Sequence, residues 1–185
     1  GTNLTYKNCT IIGWAAMGGT PESCVFDGCT IKDNGTYGVI RTYFPATIKD
    51  CTFDVANANT EDIYEDGIHA VGGAKVVVDN CTNANGDMKN LVNVAGTSIV
   101  VLDGVEIKNA ALVGDNGYAT FAEALAAVQA GETLTLLDNL TMSEILVLDK
   151  AITLNGNGKT LTSTAKRAIN VSGADGVTIK DLTID

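Results

Sequence analysis

Leu4-Thr5-Tyr6-Lys7-Asn8-Cys9-Thr10-Ile11 recurs along the chain, and the recurrence points to the fold. The pattern is apolar, any, apolar, any, Asn/Asp/Gly, Cys, Thr, apolar. Close copies stand at 24–31, 46–53 and 76–83. Two more, at 100–107 and 177–184, carry Val105 and Leu182 in place of the cysteine. Cys9, Cys29, Cys51 and Cys81 lie 20, 22 and 30 residues apart, and Val105 follows 24 after Cys81. These are lengths for one turn of a solenoid, with an insertion in the third interval.

Side chains of a strand alternate faces, so the apolar positions form one inward set. Tyr6, Phe26, Ile48, Val78, Leu102 and Ile179 are expected at one level. Cys9, Cys29, Cys51, Cys81, Val105 and Leu182 are expected at the next. A second strand precedes each centre by about 13 residues and reads Gly67-Ile68-His69-Ala70-Val71, Leu91-Val92-Asn93-Val94 and Ala168-Ile169-Asn170-Val171. Gly38-Val39-Ile40 is a looser copy. Stacked turns of this kind give parallel sheets around a continuous core. The fold class is all-β, a right-handed parallel β-helix with one short amphipathic capping helix. Exchange of cysteine for Val or Leu marks the column as apolar, so the five cysteines are expected as buried free thiols. No CxxC spacing and a single histidine argue against zinc.

The repeat lapses near residue 110, which divides the chain into β-helix coils over 1–110 and a second part over 111–185. Residues 118–130 read as the helix. Thr120 and Glu123 form a capping box, Phe121, Leu125 and Val128 share a face, and Gly131 stops it. Solenoid ends expose core and unpaired edges, and such a helix covers one. Strands are expected at 133–137, 145–148 and 151–154, with a turn at Asn155-Gly156-Asn157-Gly158. The second part either starts a new β-helix or folds back on the first turns.

The stretches 113–125 and 130–138, then Ile152-Thr153-Leu154-Asn155-Gly156-Asn157-Gly158-Lys159-Thr160-Leu161, resemble the opening of pectate-lyase-like β-helix domains. They look most like those in large repetitive surface proteins of gut bacteria. The resemblance implies an N-terminal cap for the helix, which here falls mid-chain. It also implies a bacterial, extracellular setting.

Twenty-two acidic residues against 12 basic ones give a net charge of −10, with arginine only at 41 and 167. Nucleic acid needs a basic stripe that this chain lacks. No apolar run spans a bilayer and no signal peptide is visible. The abrupt start at Gly1 and stop at Asp185 read as those of a fragment or mature piece of something larger.

Chemistry, if there is any, is expected in the long interval Asn59-Thr60-Glu61-Asp62-Ile63-Tyr64-Glu65-Asp66-Gly67-Ile68-His69. Asp62, Asp66 and His69 are the catalytic candidates. Two carboxyl groups across a cleft suit glycoside hydrolysis, and His69 suits a general base. Glu61, Asp62, Glu65 and Asp66 are the candidates for Ca²⁺, which takes several oxygen ligands. Arg41 and Lys49 would serve a lyase. A solvated acidic loop and an exposed strand histidine are the ordinary accounts, and they outweigh a working site. Tyr64, His69, Asn93 and Asn170, with Tyr43 nearby, are the candidates for a sugar-binding outer column. Asn-x-Ser/Thr triplets such as Asn8-Cys9-Thr10 read as turn chemistry rather than glycosylation. The threonine file Thr10, Thr30, Thr52, Thr82 and Thr183 is expected to be broken by Glu106. The leading expectation is a non-catalytic structural or adhesive module with polysaccharide or host glycan as partner. End-to-end self-association is a further expectation. The alternative is a polysaccharide lyase or glycoside hydrolase.

Overall fold

The structure is a computed structural model that describes residues 3–16, 21–34, 39–56 and 67–185. It is a parallel β-solenoid with a single short helix, and it divides into two compact units, Gly1–Lys108 and Asn109–Asp185.

The strands of the first unit are β1 (Asn3–Lys7), β2 (Thr10–Ile12), β3 (Ala15–Ala16), β4 (Ser23–Asp27) and β5 (Thr30–Lys32). Next come β6 (Val39–Thr42), β7 (Ala46–Lys49), β8 (Thr52–Asp54), β9 (Gly67–Ala70) and β10 (Lys75–Asp79). The last are β11 (Thr82–Asn83), β12 (Val92–Val94), β13 (Ile99–Leu102) and β14 (Val105–Lys108). They stack as three sheets: β1-β4-β7-β10-β13-β14, β2-β5-β8-β11 and β3-β6-β9-β12.

Register follows the repeat. Tyr6, Phe26, Ile48, Val78 and Leu102 are successive partners. The Tyr6 and Phe26 rings stack, 4.9 Å between centroids and 11° between planes. Cys24, Cys29, Cys51 and Cys81 are buried and Cys9 is half-buried, all as free thiols. The thiols of Cys9, Cys29, Cys51 and Cys81 turn back on the carbonyl two residues earlier, Cys51 on Lys49 at 3.2 Å and Cys81 on Asp79 at 3.3 Å. The corner before each column cysteine is left-handed, with φ of 52° at Asn8, 63° at Gly28, 53° at Asp50 and 49° at Asn80. Asn, Asp and Gly tolerate that conformation, which is why the repeat places them there. Asn80 also donates its side-chain amide to Asp50 at 2.7 Å, which ties two corners together.

Outward positions set register too. Asp27 accepts from Lys7 at 3.2 Å and lies 3.3 Å from Lys49, one carboxylate between two ammonium groups of neighbouring coils. These cations hold the Asp27 carboxyl below its ordinary value. Thr10, Thr30, Thr52 and Thr82 form one continuous file. Glu106 does not interrupt it, because that residue lies on β14 in a different sheet.

Val105 corrects the expected column. Parallel stacking continues through β13, and then Asp103 and Gly104, at φ 46° and 82°, reverse the chain. β14 returns antiparallel along β13 and leaves Val105 66% exposed instead of inward. A two-residue Asp-Gly loop with both φ positive matches the right-handed twist of a hairpin.

The second unit contains β15 (Ala111–Val113), β16 (Asn116–Tyr118), α1 (Phe121–Ala127), β17 (Thr133–Leu136) and β18 (Leu140–Met142). It continues with β19 (Leu146–Leu148), β20 (Thr153–Ser163), β21 (Ile169–Val171) and β22 (Thr178–Ile184). β17, β20 and β22 pair in parallel, as do β18 with β20 and β19 with β21. The helix is shorter than the expected 118–130. Tyr118 is taken by the β15–β16 hairpin, and Val128 turns to extended backbone at the C-cap. The capping box is present, with Thr120 Oγ1 accepting from Glu123 N and Glu123 accepting from Thr120 N. Phe121, Ala124 and Val128 pack into a core of Leu134, Leu136, Leu146, Leu148 and Leu154. The expected turn at 155–158 is a corner inside the long β20, where the register shifts between Asn155 and Lys159.

Candidate functional site

The outer face of the β3-β6-β9-β12 sheet holds the polar row that the second repeat strand implied. Ile68 and Ala70 point inward, at 1% and 0% exposure. His69 therefore points to the other side. Its register partners are Arg41 on β6 and Asn93 on β12. Neighbouring strands lie about 4.8 Å apart, so the three side chains stand as successive rungs.

His69 faces outward as expected but is not exposed. Only 9% of it is accessible, and its Nδ1 has no hydrogen-bond partner. Burial, and then the charge of Arg41, hold the imidazole below its ordinary value. At neutral pH it is therefore uncharged, with one donor and one acceptor nitrogen. Arg41 is half-buried, and its Nε also lacks a partner. Its guanidinium carbon lies 5.4 Å from the centre of the Tyr43 ring, a cation–π contact. Tyr43 is 55% exposed. Its ring edge would meet a β-carbon added to Gly72 at 3.4 Å, so the ring lies along the turn that follows β9.

Gly67 sits where β9 begins hard against the turn that precedes β12. A β-carbon there would lie 2.2 Å from the Leu91 carbonyl oxygen, and φ is 105°. Only glycine lets the chain enter β9 so near the 3-10 turn at Met88–Leu91.

Asn170 does not belong to this row. It lies on β21 in the second unit, paired with Val147, and accepts from Arg167 at 3.1 Å. Lys49 is likewise apart, on β7 beside Asp27. Glu61, Asp62, Tyr64, Glu65 and Asp66 lie outside the described residues. Among the described residues no group of three or more His, Cys, Asp or Glu side chains could hold a metal ion. No described helix is long and apolar enough to cross a membrane. An open polar groove of about 570 Å³ in the second unit is lined by Asn155, Asn157, Gly158, Asp181, Leu182 and Thr183.

Arg41 enters this row through the fold, as the register partner of His69. The signal was its place two residues before Tyr43 and in register with His69, legible once the second strand of each coil is aligned. Comparison with known proteins finds no family model, no curated protein and no solved structure that matches the chain.

Proposed function

We propose that the chain is a non-catalytic structural and adhesive β-helix module of an extracellular bacterial surface protein, and that it binds glycan on the outer face of the β3-β6-β9-β12 sheet. The row Arg41, His69, Asn93 beside the exposed Tyr43 ring carries the reading. Sugars are bound by planar side chains that take their C–H faces and by fixed polar groups that take their hydroxyls. A rigid stack of parallel strands supplies both at fixed spacing. The resemblance of residues 113–161 to pectate-lyase-like domains of surface proteins supports the bacterial, extracellular setting.

The test is a panel of acidic and neutral polysaccharides, scored for retention and for product release. Retention without new reducing ends or unsaturated products is expected, weakened by Tyr43→Ala. Sustained turnover would overturn the non-catalytic reading. In its place would stand a polysaccharide lyase or glycoside hydrolase, favoured by the acidic run Glu61–Asp66 that leads directly into the strand of His69. Turnover of that kind is then lost in Asp62→Asn and Asp66→Asn. Ca²⁺-dependent melting, absent in the same variants, marks a metal role for the segment.

A further inference from the structure

We propose that the cysteine column is an oxidation site that closes as two disulfides, Cys9 to Cys29 and Cys51 to Cys81, by exchange with a small-molecule disulfide. The proposal does not depend on the glycan-binding reading above.

The stack places the four thiols on one line. Thr10, Thr30, Thr52 and Thr82 are successive register partners, and each follows a column cysteine. Thr30 N donates to Cys9 O at 2.9 Å, Thr52 N to Cys29 O at 2.9 Å and Thr82 N to Cys51 O at 3.0 Å. Neighbouring strands lie about 4.8 Å apart, inside the Cα separation of about 4.4–6.8 Å that a disulfide spans. The sulfurs also reach across the coils. Cys29 donates to Tyr6 O at 3.5 Å, on the coil of Cys9, and Cys81 donates to Ile48 O at 3.5 Å, on the coil of Cys51. Cys51 Sγ accepts from Cys29 N at 3.3 Å. Cys51 and Cys81 are further joined by a hydrogen bond between their thiols. Cys24 stands off this line, and its register partners, Leu4 and Ala46, carry no sulfur.

Adjacency alone leaves two ways to pair four thiols in a file. Joining Cys29 to Cys51 strands the other two, whereas joining each end thiol to its neighbour uses all four. Access decides between them. β2 and β11 are the outermost strands of their sheet, so Cys9 and Cys81 end the column. Cys9 is half-buried and Cys81 is 8% accessible, against 1% for Cys29 and for Cys51. A reagent therefore meets an end thiol first, and each end thiol has one column neighbour to finish the reaction. The attacking sulfur must be a thiolate. The hydrogen bond with Cys51 favours that form at Cys81.

The end thiol gives up its proton and attacks one sulfur of the small disulfide. Half of the reagent leaves as a thiolate and takes up a proton, and a mixed disulfide remains on the protein. The inner thiol then gives up its own proton and attacks the protein sulfur of that bond. The second half of the reagent leaves and is protonated in turn. Each crosslink thus takes two electrons and two protons from the protein and reduces one small disulfide to two thiols. The inner thiol never has to meet solvent. The second crosslink closes the 30-residue interval that holds the acidic run and His69, and so restricts the unfolded chain.

The test exposes the 185-residue chain to oxidised glutathione below its melting transition. Products are mapped by peptide mass spectrometry without reduction. A loss of about 4 Da with no glutathione retained is expected, the four hydrogens of two crosslinks. The bonds should be Cys9–Cys29 and Cys51–Cys81, with Cys24 reduced. Cys24 is also the clock, because its alkylation in a parallel native sample reports opening of the core. Both crosslinks should be complete before it is labelled. Cys9→Ser should block the first crosslink, leave Cys29 reduced and spare the second. In urea the pairing should scramble and Cys24 should join it. A Cys29–Cys51 product, glutathione held on Cys9 or Cys81, or either crosslink missing overturns the proposal. Crosslinks that appear only as fast as Cys24 is alkylated overturn it too, since they come from opened chains. A melting transition like the parent's shows that Cys9→Ser is folded.

Discussion

Gly67 and Leu91 are closer than any side chain allows: a β-carbon on the first would lie 2.2 Å from the carbonyl oxygen of the second. The obstacle is backbone, which cannot swing aside. Gly67→Ala therefore forces β9 and the 3-10 turn apart, and it also places an L-residue at φ 105°. Together these cost about 3 kcal/mol, from overpacking plus left-handed strain. Gly104 makes the control, since its φ is 82° but no atom lies within 4 Å of an added β-carbon. Gly104→Ala is expected to cost only about 1 kcal/mol. Urea midpoints at constant slope check the pair, and equal losses would show that the close approach is unimportant.

The cysteine column predicts an order of reactivity. Thiolate is the reacting species, and burial disfavours it. Cys24 is fully buried and pushed up to about 11. Burial also raises Cys29, and a hydrogen bond to Cys81 followed by burial raises Cys51. Cys9 is half-buried on the first coil. Alkylation at mild alkaline pH should therefore modify Cys9 in the native protein. Cys24, Cys29 and Cys51 should wait for opening of the core, on the timescale of unfolding, and Cys81, whose thiol the hydrogen bond with Cys51 holds below its ordinary value, should react ahead of those three. Mass spectrometry of peptides after timed labelling gives the order. Rapid modification of Cys51 under native conditions would contradict a closed column.

Much of the fold was legible because the repeat states it twice, once in the apolar alternation and once in the corner residue. Asn8, Asp50 and Asn80 each precede a cysteine, and each is left-handed. Val105 shows where legibility ended. Gly104 stands at the corner position, as Gly28 does, but Asp103 before it is left-handed as well, and the chain reverses. The dipeptide alone does not decide this. Asn157-Gly158 also has two positive φ values, at 50° and 75°, and only turns a corner with two residues to spare. Of the candidate site, alternation gave the outward direction of His69, and alignment of the second strands gave Asn93. Burial of His69 was not legible, because it depends on which side chains stand on the neighbouring rungs. Asn170 repeats the same sequence pattern but lies on β21 in the second unit, paired with Val147, so it is not a rung of the same sheet.

Both ends of α1 are held by side chains, and each is separately breakable. Thr120→Ala removes the acceptor for Glu123 N and should cost about 1 kcal/mol. Lys150 donates to Ala126 O at 3.3 Å and Val128 O at 2.8 Å, satisfying carbonyls that the helix end leaves open. Lys150→Met keeps the stem and loses those donors, and should cost about 1 kcal/mol as well. The helix is seven residues long, so the two caps lie roughly 10 Å apart and their losses should add. Chemical denaturation of the single and double variants checks this, and a neutral Lys150→Met would show that water serves those carbonyls equally well.

His69 sets a pH window for stability. In the folded chain burial and the Arg41 charge hold its imidazole below the ordinary value of 6.5, so the folded ring binds fewer protons than the unfolded one. Stability rises with pH wherever the unfolded state binds more protons. The His69 contribution is therefore fully present above the unfolded value and is lost as pH falls through it toward the lower folded value. Asp27 is depressed as well, by Lys7 and Lys49, but its loss begins only as pH approaches the ordinary value of 3.8. The Asp27 loss therefore begins at a lower pH than the His69 loss. The parent should thus lose stability as pH falls through the ordinary histidine value of 6.5, and His69→Gln should flatten that part of the profile while keeping the Asp27 loss at acid pH. Thermal midpoints across the range read both. An unchanged slope in His69→Gln would mean that the ring is protonated as readily in the folded chain as in the unfolded one, and that Arg41 and burial do not act on it.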